Sequence, residues 1–239
     1  MGNLQWHCQR KDGEMPHTTI YMKHPPSQPM PVLKADSLIF GHAGSSGLPL
    51  FKQLSIVLLP GVTWVGGDES SGKTTLLHLL AGTVKPEAFQ GQLRIHGASL
   101  AENPAAYRHL VAWLDPRDTA RDQQTAHQIF AELRQSHAGC NPDVLQLHIT
   151  GLSLAPHLDK ALYMMSSGTR RKVLMAAAMA TTAPVILLDQ PFMALDQPST
   201  NYLLQVLGQA AQQLEKAWVV ADYDAPPGIA LSGTVALRR

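Results

Sequence analysis

The 239-residue sequence has only two cysteines, Cys8 and Cys140, too few for a disulfide framework and with no spacing for a zinc site. Both are expected to be plain thiols, as suits a reducing compartment. Long apolar runs are missing too: the most apolar region, residues 173–188, is broken by Thr181, Thr182 and Pro184, so no membrane span is expected. Charge of one sign is scarce. A net charge of +1, with no tract of lysines or arginines, removes the general reason to expect nucleic acid as a partner. The first residues lack the apolar core of a signal peptide, which makes cytoplasmic residence the expectation. No internal repeat is found. What is left is an apolar fraction of 45% in a chain long enough for one sizeable α/β domain or two small lobes with a substantial core.

Residues 1–31 carry Pro16, Pro25, Pro26, Pro29 and Pro31 without hydrophobic periodicity and are read as a mobile extension. His7, His17 and His24 lie within it at spacings that fit no metal site and are expected to be solvated. From residue 32 the pattern changes to strands at 32–40 and 50–59, separated by the glycine-rich loop 41–47. Pro60-Gly61 turns the chain into an apolar strand containing Val62, Trp64 and Val65. A helix runs from about Gly72 through Leu80, and 91–96 alternates Leu93 and Ile95 with polar residues like a half-exposed strand. A short apolar run at 110–114 ends in Asp115-Pro116. Residues 117–163 are richer in Gln, His and Ala, with helical spacing at Ile129 and Leu133 and again at Val144, Leu145 and Leu147, which predicts a mostly helical lobe. Beyond it come an alanine-rich helix at 168–181, a buried strand at 185–188, and an amphipathic helix at 197–216 presenting Leu203, Leu207, Ala210 and Leu214. Strands at 218–221 and 233–237 complete the chain. Strands alternating with helices, several of them uniformly apolar, predict an α/β fold around a mostly parallel sheet.

Three constellations carry chemistry. In V-G-G-D-E-S-S-G-K-T-T-L, Gly67, Gly72, Lys73 and Thr74 fill the fixed places of G-x-x-x-x-G-K-[ST]. Consecutive backbone N–H groups from Gly67, Asp68, Glu69, Ser70, Ser71 and Gly72 can close around phosphate oxygens. Lys73 reaches the outer phosphates, Thr74 holds magnesium by its hydroxyl, and Thr75 follows in the first helical turn. The helix adds its positive dipole end. Next, V-I-L-L-D places Asp189 at the end of an apolar strand, where a carboxylate beside a phosphate loop can hold magnesium. The third, Met165-Ser166-Ser167-Gly168-Thr169 followed by Arg170-Arg171-Lys172-Val173, puts small and hydroxyl residues at a helix start.

In this order the three resemble the nucleotide-binding subunit of an ATP-binding cassette transporter, a P-loop NTPase of cassette type with a mostly parallel sheet, an antiparallel β part and a small helical lobe. The likeness covers residue 32 to the C-terminus. It implies ATP and Mg2+ as ligands, a membrane permease and a second cassette subunit as partners, and a peripheral place on the inner face of a membrane. Ser166, Ser167 and Gly168 match the family signature, implying a hydroxyl and backbone N–H groups offered to a γ-phosphate held by the second subunit. Asp196 matches the aspartate at the dimer seam.

The departures from the pattern are specific. Gln190 stands where the family has a glutamate, and a carboxamide cannot take a proton from an attacking water. Tyr223 stands where it has a switch histidine, Asp115 where a glutamine links nucleotide to helical lobe, and His42 where an aromatic residue stacks on adenine. Nucleotide binding is expected, with attenuated hydrolysis. The compact length and the D-Q-P-F-M-A-L-D run look most like small subunits of haem exporters in cytochrome c maturation, although importer subunits share P-F-x-A-L-D. Two alternatives stand beside the transporter subunit: a non-hydrolysing ATP-binding partner in a heterodimer, and a cassette protein that acts without a permease.

Overall fold

The computed structural model describes residues 29–41, 49–136 and 139–237. Residues 1–28 of the extension, with its three histidines and Cys8, and the adenine candidate His42 fall outside them. The described chain runs β1 (Leu33–Phe40), β2 (Phe51–Leu58), β3 (Gly61–Gly66), α1 (Lys73–Leu80), β4 (Gln90–Ile95), β5 (Ala98–Ser99), α2 (Pro104–His109) and β6 (Val111–Ala112). It continues through α3 (Ala126–Ser136), α4 (Pro142–Gly151), α5 (Ser167–Met179), β7 (Val185–Asp189), α6 (Gln197–Ala210), β8 (Ala217–Asp222) and β9 (Leu231–Ala236).

Two sheets form. One is antiparallel in the order β2-β1-β4-β5; the other has the order β6-β7-β8-β3-β9, with every pairing parallel. In a strand successive side chains face opposite ways, so β7, buried along its whole length, serves two cores at once. Val185 and Leu187 pack with the antiparallel sheet and with Leu76, Leu77, Leu79 and Leu80 of α1. Ile186 and Leu188 pack on the other side with α5, α6 and the helices α3 and α4, through Ile129, Phe130, Leu145 and Ile149. β8 repeats the division, with Val219 on the first side and Trp218 and Val220 on the second.

The amphipathic helix predicted at 197–216 ends at Ala210, and Leu214, expected on its apolar face, is 83% exposed. The chain must reverse here to enter β8. It does so through turns, Gln212 N–H to Gln209 O at 3.1 Å and Gln213 N–H to Ala210 O at 3.0 Å, after which Ala217 N–H reaches Pro184 O at 2.8 Å. The Gln213 side chain then accepts from Trp218 Nε1 at 3.0 Å, fixing the reversal. Helix α2, which the strand-and-helix pattern left unassigned, is set by Asn103, whose Oδ1 caps Ala106 N–H at 3.0 Å, and by Pro104 in its first turn.

Candidate functional site

Strands β3, β7 and β8 are neighbours and end together. In register, Asp189 lies opposite Ala221 and Gly66 opposite Asp222, so the phosphate-loop candidate, Asp189 and Asp222 share one edge of the parallel sheet. Ligands gather at such carboxyl ends because loops and helix starts converge there. The loop leaves β3 at Gly66 and enters α1 at Lys73. Gly72, at φ 100°, holds a left-handed conformation that suits glycine, and it precedes α1 without any side-chain cap. The first N–H groups of α1 thus remain open to an anion.

Lys73 is buried and donates to the carbonyl oxygens of Gly67 and, at 2.9 Å, Asp68; its Nζ also lies 4.2 Å over the Tyr223 ring. Thr74 Oγ1 donates to Asp189 Oδ2 at 2.8 Å. Burial pushes the Asp189 carboxyl up, and the nearby Asp115 charge adds to that, against the Thr74 hydrogen bond and the charges of Arg117 and Arg171. Its second oxygen, Oδ1, and the hydroxyl of Ser71 are buried without a hydrogen-bond partner. A buried hydroxyl and half a carboxylate left unpaired beside a phosphate loop fit bound phosphate and a hard cation such as magnesium.

Gln190 follows Asp189 in a left-handed conformation, φ 46°, and is 7% exposed. Its N–H donates to Ala221 O at 2.8 Å. Gln190, Tyr223, Glu69, Ser70, Ser71, Gly72, Lys73, Thr74 and Thr75 line one open cavity of about 650 Å³, together with Leu50, Met193 and Arg117. Ser166, Ser167 and Gly168 do not line it. They start α5, where Ser166 Oγ caps Thr169 N–H at 3.1 Å. At Gly168 an added Cβ would fall 2.2 Å from Ala194 O, so the run after Asp189 lies directly against the helix start and requires glycine there.

Two further groups belong to this edge. Asp222 is the last residue of β8, which pairs with both β3 and β7. Burial raises its carboxyl, the Asp189 charge adds to this, and Lys73 opposes it. Asp115 does not reach Thr74 or Asp189. Its Oδ2 lies 3.3 Å from His78 Nε2 and its Oδ1 accepts from Arg117 N–H at 2.9 Å. Burial alone would raise its carboxyl, yet the His78 hydrogen bond, the Arg117 N–H and the charges of His78 and Arg117 together leave it lowered. Arg117 is the residue that enters the cavity, and its NH1 donates to Thr74 Oγ1 at 2.7 Å. The loop carrying it is held from α5. Arg170 donates to Pro116 O at 3.2 Å and to Asp118 O, and pairs with Asp122.

Asp196 caps α6, its Oδ1 accepting from Ser199 N–H at 2.9 Å, and pairs with the buried Lys172. Among the described residues no helix is long and apolar enough to cross a membrane.

The family model of the ABC transporter matches residues 52–193, more than half of the chain and including the phosphate loop, Ser166–Gly168 and Asp189. The cytochrome c biogenesis ATP-binding export protein CcmA of Pseudomonas putida (strain GB-1) is 30% identical over 165 residues, covering 69% of this chain and 78% of that protein. Among solved structures, the ATP binding subunit of an ABC transporter superposes with a TM-score of 0.69 at 18% identity, over 80% of this chain and 79% of that one. A dimeric post-hydrolysis state of an ATP-binding cassette bound to ADP and Pi gives 0.64 at 20% identity, over 80% of this chain and 88% of that one.

Proposed function

The chain belongs to the ABC transporter family as an ATP-binding subunit, and from that premise we propose that it works with a membrane permease and handles the nucleotide through its own residues as follows. ATP binds across the loop 67–75, where the open N–H groups of α1 meet phosphate oxygens and Lys73 exchanges the carbonyls of Gly67 and Asp68 for the outer phosphates. Thr74 and Asp189 would hold magnesium, which when bound neutralises charge on the β- and γ-phosphates. The observation that carries this reading is the pair of buried, unpartnered atoms, Ser71 Oγ on the loop that lines the cavity and Oδ1 of Asp189, whose other oxygen accepts from the cavity-lining Thr74.

Ser166, Ser167 and Gly168, away from that cavity, would complete the site of a second cassette in a head-to-tail dimer closed by ATP. Exposed Leu147, Tyr163 and Met164 on the helical side support docking of the permease there. The name of the 30%-identical relative supports a place in cytochrome c maturation, with this chain driving an exporter peripherally from the inner membrane face.

Hydrolysis should be slow when the chain meets only itself. Gln190 is placed at the cavity, but its amide can only orient a water, and general-base catalysis typically contributes on the order of 10²–10⁴ in rate. Tyr223 packs its ring against Lys73 and offers a phenol where the family offers an imidazole. Steady-state phosphate release from the purified wild type and the Gln190→Glu variant tests this. The variant should be faster, and a wild-type rate equal to or above it would overturn the attenuation. The same residue favours a second reading, a binding partner in a heterodimer whose turnover occurs at the other subunit's site. In that case adding an intact partner restores phosphate release without any change at Gln190.

A further inference from the structure

The guanidinium of Arg117 sits on the two groups that would hold magnesium. Thr74 has one hydroxyl proton, and it goes to Asp189 Oδ2 at 2.8 Å; Arg117 NH1 therefore donates, at 2.7 Å, to a lone pair of the same oxygen. Arg117 NH2 lies 3.7 Å from Asp189 Oδ2. A divalent cation bound by the Thr74 hydroxyl would need that lone pair and that carboxylate, so guanidinium and metal compete for one place.

This contact is held from behind. The Arg117 backbone N–H is fixed to Asp115 Oδ1 at 2.9 Å, and the carbonyls of Pro116 and Asp118, on either side, both accept from Arg170. The side chain is 56% exposed and lines the open cavity with Lys73, leaving further guanidinium N–H groups free to meet phosphate oxygens.

We propose that Arg117 is a built-in counter-cation of the phosphate site, and that it lets this chain bind nucleoside triphosphate without a divalent metal. The proposal rests on the nucleotide-binding reading above and adds to it the source of positive charge at Thr74 and Asp189. A guanidinium brings one charge where magnesium brings two, but its planar fork can bond two phosphate oxygens at once.

The test is calorimetric titration of ATP into the full chain, wild type and Arg117→Gln, each with Mg2+ and with EDTA, after thermal unfolding has shown both proteins folded. Wild-type affinity should change by less than about threefold on removal of Mg2+, whereas Arg117→Gln should lose at least about tenfold in EDTA and recover it with Mg2+. A wild type that loses as much in EDTA as the variant overturns the proposal and leaves nucleotide binding intact. Equal binding by both proteins in EDTA also overturns it. A folded wild type that binds ATP under neither condition overturns the proposal and the nucleotide-binding reading together.

Discussion

Helix α1 starts from Gly72 with no side-chain cap, whereas α5 starts from Ser166, whose Oγ accepts from Thr169 N–H, and α6 from Asp196, whose Oδ1 accepts from Ser199 N–H. A missing cap costs about 1 kcal/mol, and it leaves backbone donors for something else to fill. At α1 the surroundings agree with that vacancy: a left-handed glycine, a buried lysine satisfied by its own loop's carbonyls, and a buried serine hydroxyl with no partner. At α5 and α6 the chain itself caps one N–H of the first turn, that of Thr169 and that of Ser199. Backbone dipoles of the same sense are thus treated differently by the single residue before each helix: α1 is left without a side-chain cap, while α5 and α6 have one first-turn donor satisfied within the chain.

Four substitutions test that contrast. The largest effect belongs to the open end. Lys73→Ala should weaken ATP binding by roughly two to three orders of magnitude, about 3–4 kcal/mol, by calorimetry, and unchanged affinity would remove the distinction between the helices. Gly168→Ala comes next, because its Cβ would meet the backbone oxygen of Ala194 at 2.2 Å and neither backbone is free to yield. A loss of about 3 kcal/mol in urea unfolding is expected.

At α6, Asp196→Ala removes the cap and strips the buried Lys172 of its partner, for about 2 kcal/mol. The Asp196 carboxyl is held below its ordinary value of 3.8, first by Lys172 and then by Ser199. A carboxyl depressed on folding stabilises above its unfolded value and loses that contribution as pH falls through the folded one. The gap between wild type and Asp196→Ala should therefore be full near neutrality and close on acidification below about pH 4. Smallest is Ser166→Ala, about 1 kcal/mol in thermal or urea unfolding. A loss as large as that of Asp196→Ala would mean that Ser166 does more within one chain than cap a helix.

Much of this was legible in the residues. The phosphate loop is a contiguous motif, and β7 is an unbroken apolar run ending in Asp189, so both declare themselves locally. Helix α2 was missed although its signal is local, in the Asn103-Pro104 pair, a cap followed by a first-turn proline, which recurs at Asn141-Pro142 before α4. The far end of α6 was not legible. Gln212 through Lys216 are good helix residues by propensity, and only the need to reach β8 beside Pro184 O unwinds them. The place of Asp222 at the sheet edge and the role of Arg117 were hidden for a related reason. Their importance comes from strand order and from a loop anchored 50 or so residues away in sequence, neither of which periodicity carries.

Arg170 gives the molecule a mechanical property. Rooted in the first turn of α5, four residues from the capping serine, it grips the chain at Pro116, Asp118 and Asp122. The helix start and the segment bearing Arg117 are thereby joined through one side chain, so that a displacement of Ser166–Gly168 would be passed to the guanidinium against Thr74.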